Sequence, residues 1–148
     1  RKVIHGLEKG EIPELDLELE KGVQRLVLEA VKQGLVKSAH DCSEGGLAVN
    51  LAESCINGDL GAEILTEELN SAVSSRALLF SETQSRIVIS IAAEDKEKLE
   101  SLAAETEINL TKIGKVKGEK LKIDNLIDLP IKELKNRWQE SIPSQMEN

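Results

Sequence analysis

The chain has 148 residues, 40% hydrophobic and 31% charged, with 27 Asp and Glu against 19 Lys and Arg for a formal charge of -8. That length can bury an apolar core without metal or disulfide staples, and the apolar content is too high for a disordered segment. A sequence pI near 4.9, read together with the lack of a Lys/Arg-rich run, withholds the attraction that phosphate backbones and anionic lipids require, which excludes nucleic acid and membrane surfaces as partners.

The chain opens at Arg1 without a methionine and runs straight into the extended-looking Val3 and Ile4. Residues 1–14 are therefore expected to be a leader from a preceding domain, 15–143 the domain itself and 144–148 a frayed tail. Leu19, Val23, Leu26, Val27, Ala30 and Val31 recur at three- and four-residue spacings, as one face of an amphipathic helix does, and Gly34 supplies a left-handed stop. Leu35 to Ala39 reads as a short strand that ends in the polar loop His40 to Gly46. Leu47, Ala48, Leu51, Ala52, Cys55 and Ile56 return to helical spacing, with Gly58 as the cap.

Ala62 to Leu65 reads as a strand and Leu69 to Phe80 as a helix, followed by a second polar loop, Ser81 to Arg86. Ile87 to Ile91 is apolar almost throughout and β-branched, which predicts a central strand buried on both faces. Asp95 to Ala104 predicts a charged helix whose apolar positions are Leu99, Leu102 and Ala103. Leu110 to Val116 and Leu121 to Ile123 are expected to pair as a hairpin around Lys117-Gly118-Glu119. Pro130 is placed in the first turn of a last helix, with Ile131, Leu134 and Trp138 along one face. The alternation describes one α/β (α+β) domain, a mixed sheet flanked by helices, without repeats or low-complexity linkers.

No apolar stretch is long enough to span a membrane, and nothing at the start has the form of a signal peptide. Aromatics are nearly absent, with Trp138, Phe80 and no Tyr, so base stacking and aromatic cages are excluded. Cys42 and Cys55 lack the count and spacing of a disulfide or metal scaffold and read as buried small residues of a cytoplasmic protein.

Chemistry is expected at the two polar loops. In the first, Gly45 and Gly46 open a helix whose N-terminal N–H groups and dipole favour an anion. Asp41 and Glu44 would repel a bare phosphate, a conflict that a bridging Mg²⁺ resolves. The plainer reading is that Asp41 or Ser43 caps the helix and the glycines only permit close packing of helix on strand, and spacing alone favours it. In the second loop, Glu82 and Gln84 could bind a polar ligand, and Arg86 could pair with Glu82 or a phosphate. Here the plainer reading is a solvated turn with a surface ion pair. His40 could act as a base beside Asp41, although a satisfied structural role is commoner, and His5 carries less weight still. No phosphate-binding lysine loop, nucleophile elbow, Cys/His metal spacing or dinucleotide fingerprint is present.

The run from Ser38 to Ala48, then Leu51-Ala52-Glu53, Leu60-Gly61-Ala62-Glu63, Leu79 to Arg86 and the closing Ile127 to Lys135 with Trp138 and Ile142-Pro143 strongly resembles phosphoribosylformylglycinamidine synthase. Within that family it is similar to the C-terminal end of the synthetase subunit, in the aminoimidazole ribonucleotide (AIR) synthetase superfamily. The resemblance covers nearly the whole chain. It implies a part in an ATP-dependent amidoligase of purine biosynthesis. That enzyme converts formylglycinamide ribonucleotide, ATP and glutamine to formylglycinamidine ribonucleotide, through an iminophosphate that ammonia displaces. The implied partners are the N-terminal domains of the same subunit, a glutaminase subunit or domain and a small accessory subunit. The implied cofactors are Mg²⁺ and ATP or ADP in the full enzyme.

The His-Asp-x-Ser-Glu-Gly-Gly-Leu form resembles the second of two C-terminal domains in the subunit. In the first copy the matching aspartate is a Mg²⁺ ligand and a Glu-Ser-Gln triplet binds substrate. By pseudo-symmetry Asp41 would be a metal ligand, with Glu82, Thr83 and Gln84 matching the triplet, Thr83 in place of serine. Together with Ser43, Glu44, Gly45 and Gly46 they would form an auxiliary nucleotide or substrate-like site that is not the site of turnover. No catalytic residue is expected in this chain, and the chain alone is expected to be inactive. Two other readings stand beside this one: a structural and interaction module without a ligand, and the C-terminal domain of another superfamily member such as a hydrogenase maturation factor, selenophosphate synthetase or thiamine phosphate kinase.

Overall fold

A computed structural model describes residues 15–69 and 73–140. The expected leader at 1–14 with His5, residues 70–72 of the expected helix from Leu69 to Phe80, and everything from 141 onward lie outside the described residues. The chain folds as α1 (Leu17–Lys32), β1 (Val36–Asp41), α2 (Gly46–Gly58), β2 (Ala62–Ile64), α3 (Ser75–Phe80) and β3 (Ile87–Ile91). It continues with a 3-10 turn (Ala93–Asp95), α4 (Lys96–Glu105), β4 (Gly114–Val116), β5 (Lys120–Ile123), β6 (Ile127–Pro130) and α5 (Ile131–Glu140).

Local chemistry sets the bounds of α1. The Asp16 carboxylate accepts the N–H groups of Glu18 and Leu19 at 3.0 Å, with Glu18 and Glu20 in the positive first turn. At the other end Leu35 donates to the carbonyl of Ala30 and Gly34 to that of Val31, with Gly34 at φ +72. This is the paired closure that a left-handed glycine permits. Val23, Leu26 and Ala30 are buried, whereas Leu19 and Val31 face solvent, so the buried stripe is narrower than the spacing predicts.

The strands form two sheets. β1 and β3 pair antiparallel, with Asp41 opposite Ile87. The other four run in the order β4-β2-β5-β6, where β2 is antiparallel to β4 and parallel to β5. One core lies between this mixed sheet, α2 and α5, and includes Leu47, Leu51, Cys55, Ile64, Leu121, Ile123 and Ile131. The other joins α1 and α4 through Leu26, Ala30, Leu35, Leu99, Leu102 and Ala103. Each large aliphatic side chain removed from water in this way contributes about 1.5–3 kcal/mol.

Several expectations are corrected. β3 is one strand of a pair and half-buried along its length, not central. Its β-branched run serves two cores, since Val88 packs on the first and Ile89 and Ile91 on the second. β4 and β5 do not form a hairpin, because β2 lies between them. The 117–119 turn instead closes on Gly61, whose N–H donates to the Gly118 carbonyl at 2.7 Å. A Cβ there would come within 2.5 Å of the Lys120 backbone, which is why that position is glycine.

Of the expected helix from Leu69 to Phe80, the described residues are helical over Ser75–Phe80, capped by the Ser74 hydroxyl. Asp59, at φ 51, caps α2 in place of Gly58. Pro130 ends β6 and does not start α5, and Trp138 is 56% exposed. The stated lack of a lysine-rich run is also corrected: residues 112–122 hold five lysines against Glu119.

Candidate functional site

The two polar loops, separated by 37 residues in sequence, meet in space. The antiparallel pairing of β1 with β3 delivers the end of one loop to the start of the other strand. The Cys42 N–H donates to the Arg86 carbonyl at 2.9 Å, and the Gly45 N–H donates to Glu82 Oε1 at 2.8 Å. The second contact decides between readings of the glycine loop. Neither Asp41 nor Ser43 caps α2, since the residue before the helix is Gly45 at φ +74 with no side-chain cap of its own. The carboxylate of Glu82 takes that place, where an anion meets the helix dipole.

Gly46 has a packing role. At φ +72 it is buried against the end of α3, and a Cβ would lie 2.8 Å from the Leu79 carbonyl oxygen and 2.9 Å from Phe80 Cα. The glycine pair therefore lets α2 start directly beneath α3, so the close packing is against a helix and not against a strand as the plainer reading expects.

His40 and Asp41 lie inside β1 and not in the loop. His40 Nδ1 is 2.8 Å from the Asp41 carbonyl oxygen, and Nε2 is 2.9 Å from Glu53 Oε2 on α2. The ring is thus held as a satisfied structural group. Asn50 of α2 completes the arrangement. It is fully buried, and its Nδ2 donates at 2.8 Å to the carbonyls of both His40 and Asp41, while its Oδ1 has no partner. Asn50 escaped the sequence reading because it stands among apolar helix positions. A buried polar residue one turn into a helix that follows a polar loop was the available signal.

Asp41 turns an exposed carboxylate outward beside a shallow, open depression of about 420 Å³ lined by Val27, Ala39, His40, Asp41 and Ile87. The Ser43 hydroxyl beside it holds its pKa below the usual carboxylate range, outweighing slight burial. Cys42 next to it is buried, and that burial pushes its thiol up despite the nearby Arg86. Cys55 is raised by burial alone, so neither thiol is prepared for nucleophilic work.

Glu44, Glu82 and Gln84 are exposed and Ser43 with them, while Thr83 is half-buried. Arg86 donates to the carbonyls of Ser81 at 3.4 Å and Leu78 at 3.2 Å and to the Thr83 hydroxyl at 3.4 Å, in place of the expected pairing with Glu82. It closes the C-terminal end of α3. Ser85 donates to Glu20 at 2.6 Å, which ties the same loop to α1 and lowers the Glu20 pKa.

The fit to Mg²⁺ and phosphate divides. Mg²⁺ is commonly held by one or two carboxylates with phosphate and water completing its shell, and the charged, outward Asp41 suits one such position. Among the described residues no group of three or more His, Cys, Asp or Glu could hold a metal by itself. A phosphate on the Gly45 N–H does not fit, because Glu82 already occupies that donor.

Comparison with known proteins places the arrangement. The model of the family described as AIR synthase related protein, C-terminal domain, matches residues 2–124. The chain is 47% identical over 143 residues to phosphoribosylformylglycinamidine synthase subunit PurL of Moorella thermoacetica, covering 94% of the chain and 19% of that protein. It is 42% identical over 150 residues to PurL of Methanocaldococcus jannaschii, covering 98% and 20%. The chain thus spans about a fifth of the length of these relatives.

Among solved structures, Thermotoga maritima PurL complexed with ATP has a TM-score of 0.73 at 23% identity, covering 86% of this chain and 23% of that one. Thiamine-monophosphate kinase from Stenotrophomonas maltophilia has a TM-score of 0.52 at 17% identity, covering 73% and 47%. At these identities both are likenesses of fold. With the family match extending over most of its length, the chain belongs to the AIR synthase related protein family as a C-terminal domain.

Proposed function

We propose that this chain is the C-terminal domain of the synthetase subunit of a phosphoribosylformylglycinamidine synthase. In that setting it serves an ATP-dependent amidoligase of purine biosynthesis that makes formylglycinamidine ribonucleotide. The observation that carries the reading is the 47% identity to a PurL subunit over 94% of the chain. The joining of the two family-like loops at Gly45 and Glu82 supports it. The subunit's N-terminal domains, a glutaminase and a small accessory subunit are the partners in this reading, and the cytoplasm its place. None of the described helices is long and apolar enough to cross a membrane.

The domain supplies an auxiliary ligand site and no catalytic residue. Asp41 would hold Mg²⁺ there, which would bridge to a nucleotide when bound. Gln84 and Thr83 would offer polar contacts, and Ser43 and Glu44 would border the cleft. Glu82, Gly45 and Gly46 act by holding the two loops together.

A chimera tests the assignment: the corresponding C-terminal stretch of the Moorella subunit is replaced by this chain, and ligation is assayed with formylglycinamide ribonucleotide, Mg²⁺-ATP and ammonia. Activity within about tenfold of the parent is expected, and a folded but inactive chimera overturns the reading. The isolated chain should show no turnover.

A second reading, a structural module without a ligand, is favoured by the way Glu82 and Gly46 satisfy the loops internally. Asp41→Ala in the chimera separates the two: loss of retained Mg²⁺-nucleotide supports the ligand site, and unchanged retention supports the module.

A further inference from the structure

The outward face of the four-stranded sheet carries a charge pattern unlike the rest of this acidic chain. Strand alternation turns Leu121 and Ile123 into the core and Lys120 and Lys122 to solvent. The register places Glu63 of β2 between Lys115 of β4 and Lys122 of β5, with Asp128 of β6 on the far side of Lys122. Lys117 and Lys115 approach Glu63 at 3.2 and 3.7 Å, and Lys120 and Lys122 approach Asp128 at 3.0 and 3.8 Å. Four ammonium groups thus share two carboxylates. Hydrogen bonding from Lys117 and from Lys120, with the other lysines adding to it, lowers the pKa of Glu63 and Asp128. Both are therefore charged at neutral pH, and the face keeps a surplus of positive charge.

The sheet itself accounts for only part of this charge. The directly opposed pairs, Lys115 with Glu63, Glu63 with Lys122 and Lys122 with Asp128, are of opposite sign and support the strand pairing, while Lys117 and Lys120 add positive charge beyond it. All four lysine side chains are about half exposed or more. We propose that this face docks a carboxylate-rich protein surface, whose acidic groups lie over the two lysine pairs. The embedded Glu63 and Asp128 interrupt the positive face and oppose a continuous phosphate polyanion. Discrete carboxylates can sit between them, and complementarity of this kind sets orientation and partner choice. The proposal is independent of the auxiliary ligand site, which lies at the other sheet.

Titration of the 148-residue chain with a peptide of alternating glutamate and serine, followed by backbone amide NMR, tests it. Shifts confined to β4, β5 and the 117–119 turn are expected, with affinity falling about tenfold or more as salt rises to the physiological range. K115E/K122E should abolish the shifts and K115Q/K122Q should weaken them. K96E/K98E, an equal charge change on α4, should leave them in place. Absence of shifts at low salt, equal loss in the α4 variant, or tighter binding of a thymidine decanucleotide overturns the proposal.

Discussion

Glu82 Oε1 accepts the backbone N–H of Gly45 at 2.8 Å, so that a carboxylate from one polar loop caps the helix that begins in the other. Two family-like motifs are therefore one structural unit. Glu82→Ala should cost about 1 kcal/mol, within the usual range for losing a helix cap, and Glu82→Gln less, because the amide oxygen still accepts. Chemical denaturation of the three proteins checks the order, and equal stabilities would refute the capping role.

Gly46 should tolerate no side chain. Gly46→Ala combines a left-handed backbone with a Cβ 2.8 Å from the Leu79 carbonyl oxygen, and a loss of about 2 kcal/mol or more is expected. The thermal midpoint should fall accordingly. Gly118→Ala, also at positive φ but with open space around its Cβ, is the milder comparison.

Asn50→Ala removes the donor shared by the carbonyls of His40 and Asp41 and leaves both without it. A cost of about 2–3 kcal/mol is expected. Asn50→Asp should be worse, because a buried carboxylate would face two carbonyl oxygens. Hydrogen exchange should localise the damage to the end of β1 and the first turn of α2. Uniform change across the chain would argue against that assignment.

The lowered pKa of Asp41 carries a signed pH dependence. Its stabilising contact is present above the ordinary carboxylate range and is lost as pH falls through the lower folded value. Since the side chain is 60% exposed, the effect on stability is small and the titration itself is the better readout. Ser43→Ala should raise the Asp41 midpoint toward the ordinary value by NMR titration. An unmoved midpoint would remove the hydroxyl as its cause.

Much of the fold was legible in the chain. Gly34 ends α1 as its left-handed preference predicts, because such a stop is written in local chemistry, and Leu99, Leu102 and Ala103 are buried as their helical spacing predicts. The two polar loops and the family were also legible, since the motifs carry order and spacing that composition lacks. Helix periodicity and loop composition report contacts within a few residues, which is why these readings held.

Strand partners were a different matter. Lys117-Gly118-Glu119 has the composition of a hairpin turn, yet β2 lies between the strands it joins; nothing local in Leu121 or Val116 records that Ala62 is the neighbour of both. The continuous apolar run of β3 suggested a central strand buried on both faces; the strand is instead half-buried at the edge of a pair, its side chains divided between two cores. In the same way local composition marks Gly45 as the opening of a helix and Glu82 as part of a polar loop. Their hydrogen bond, 37 residues apart in sequence, depends on the antiparallel register of β1 and β3, a long-range pairing that no local pattern encodes.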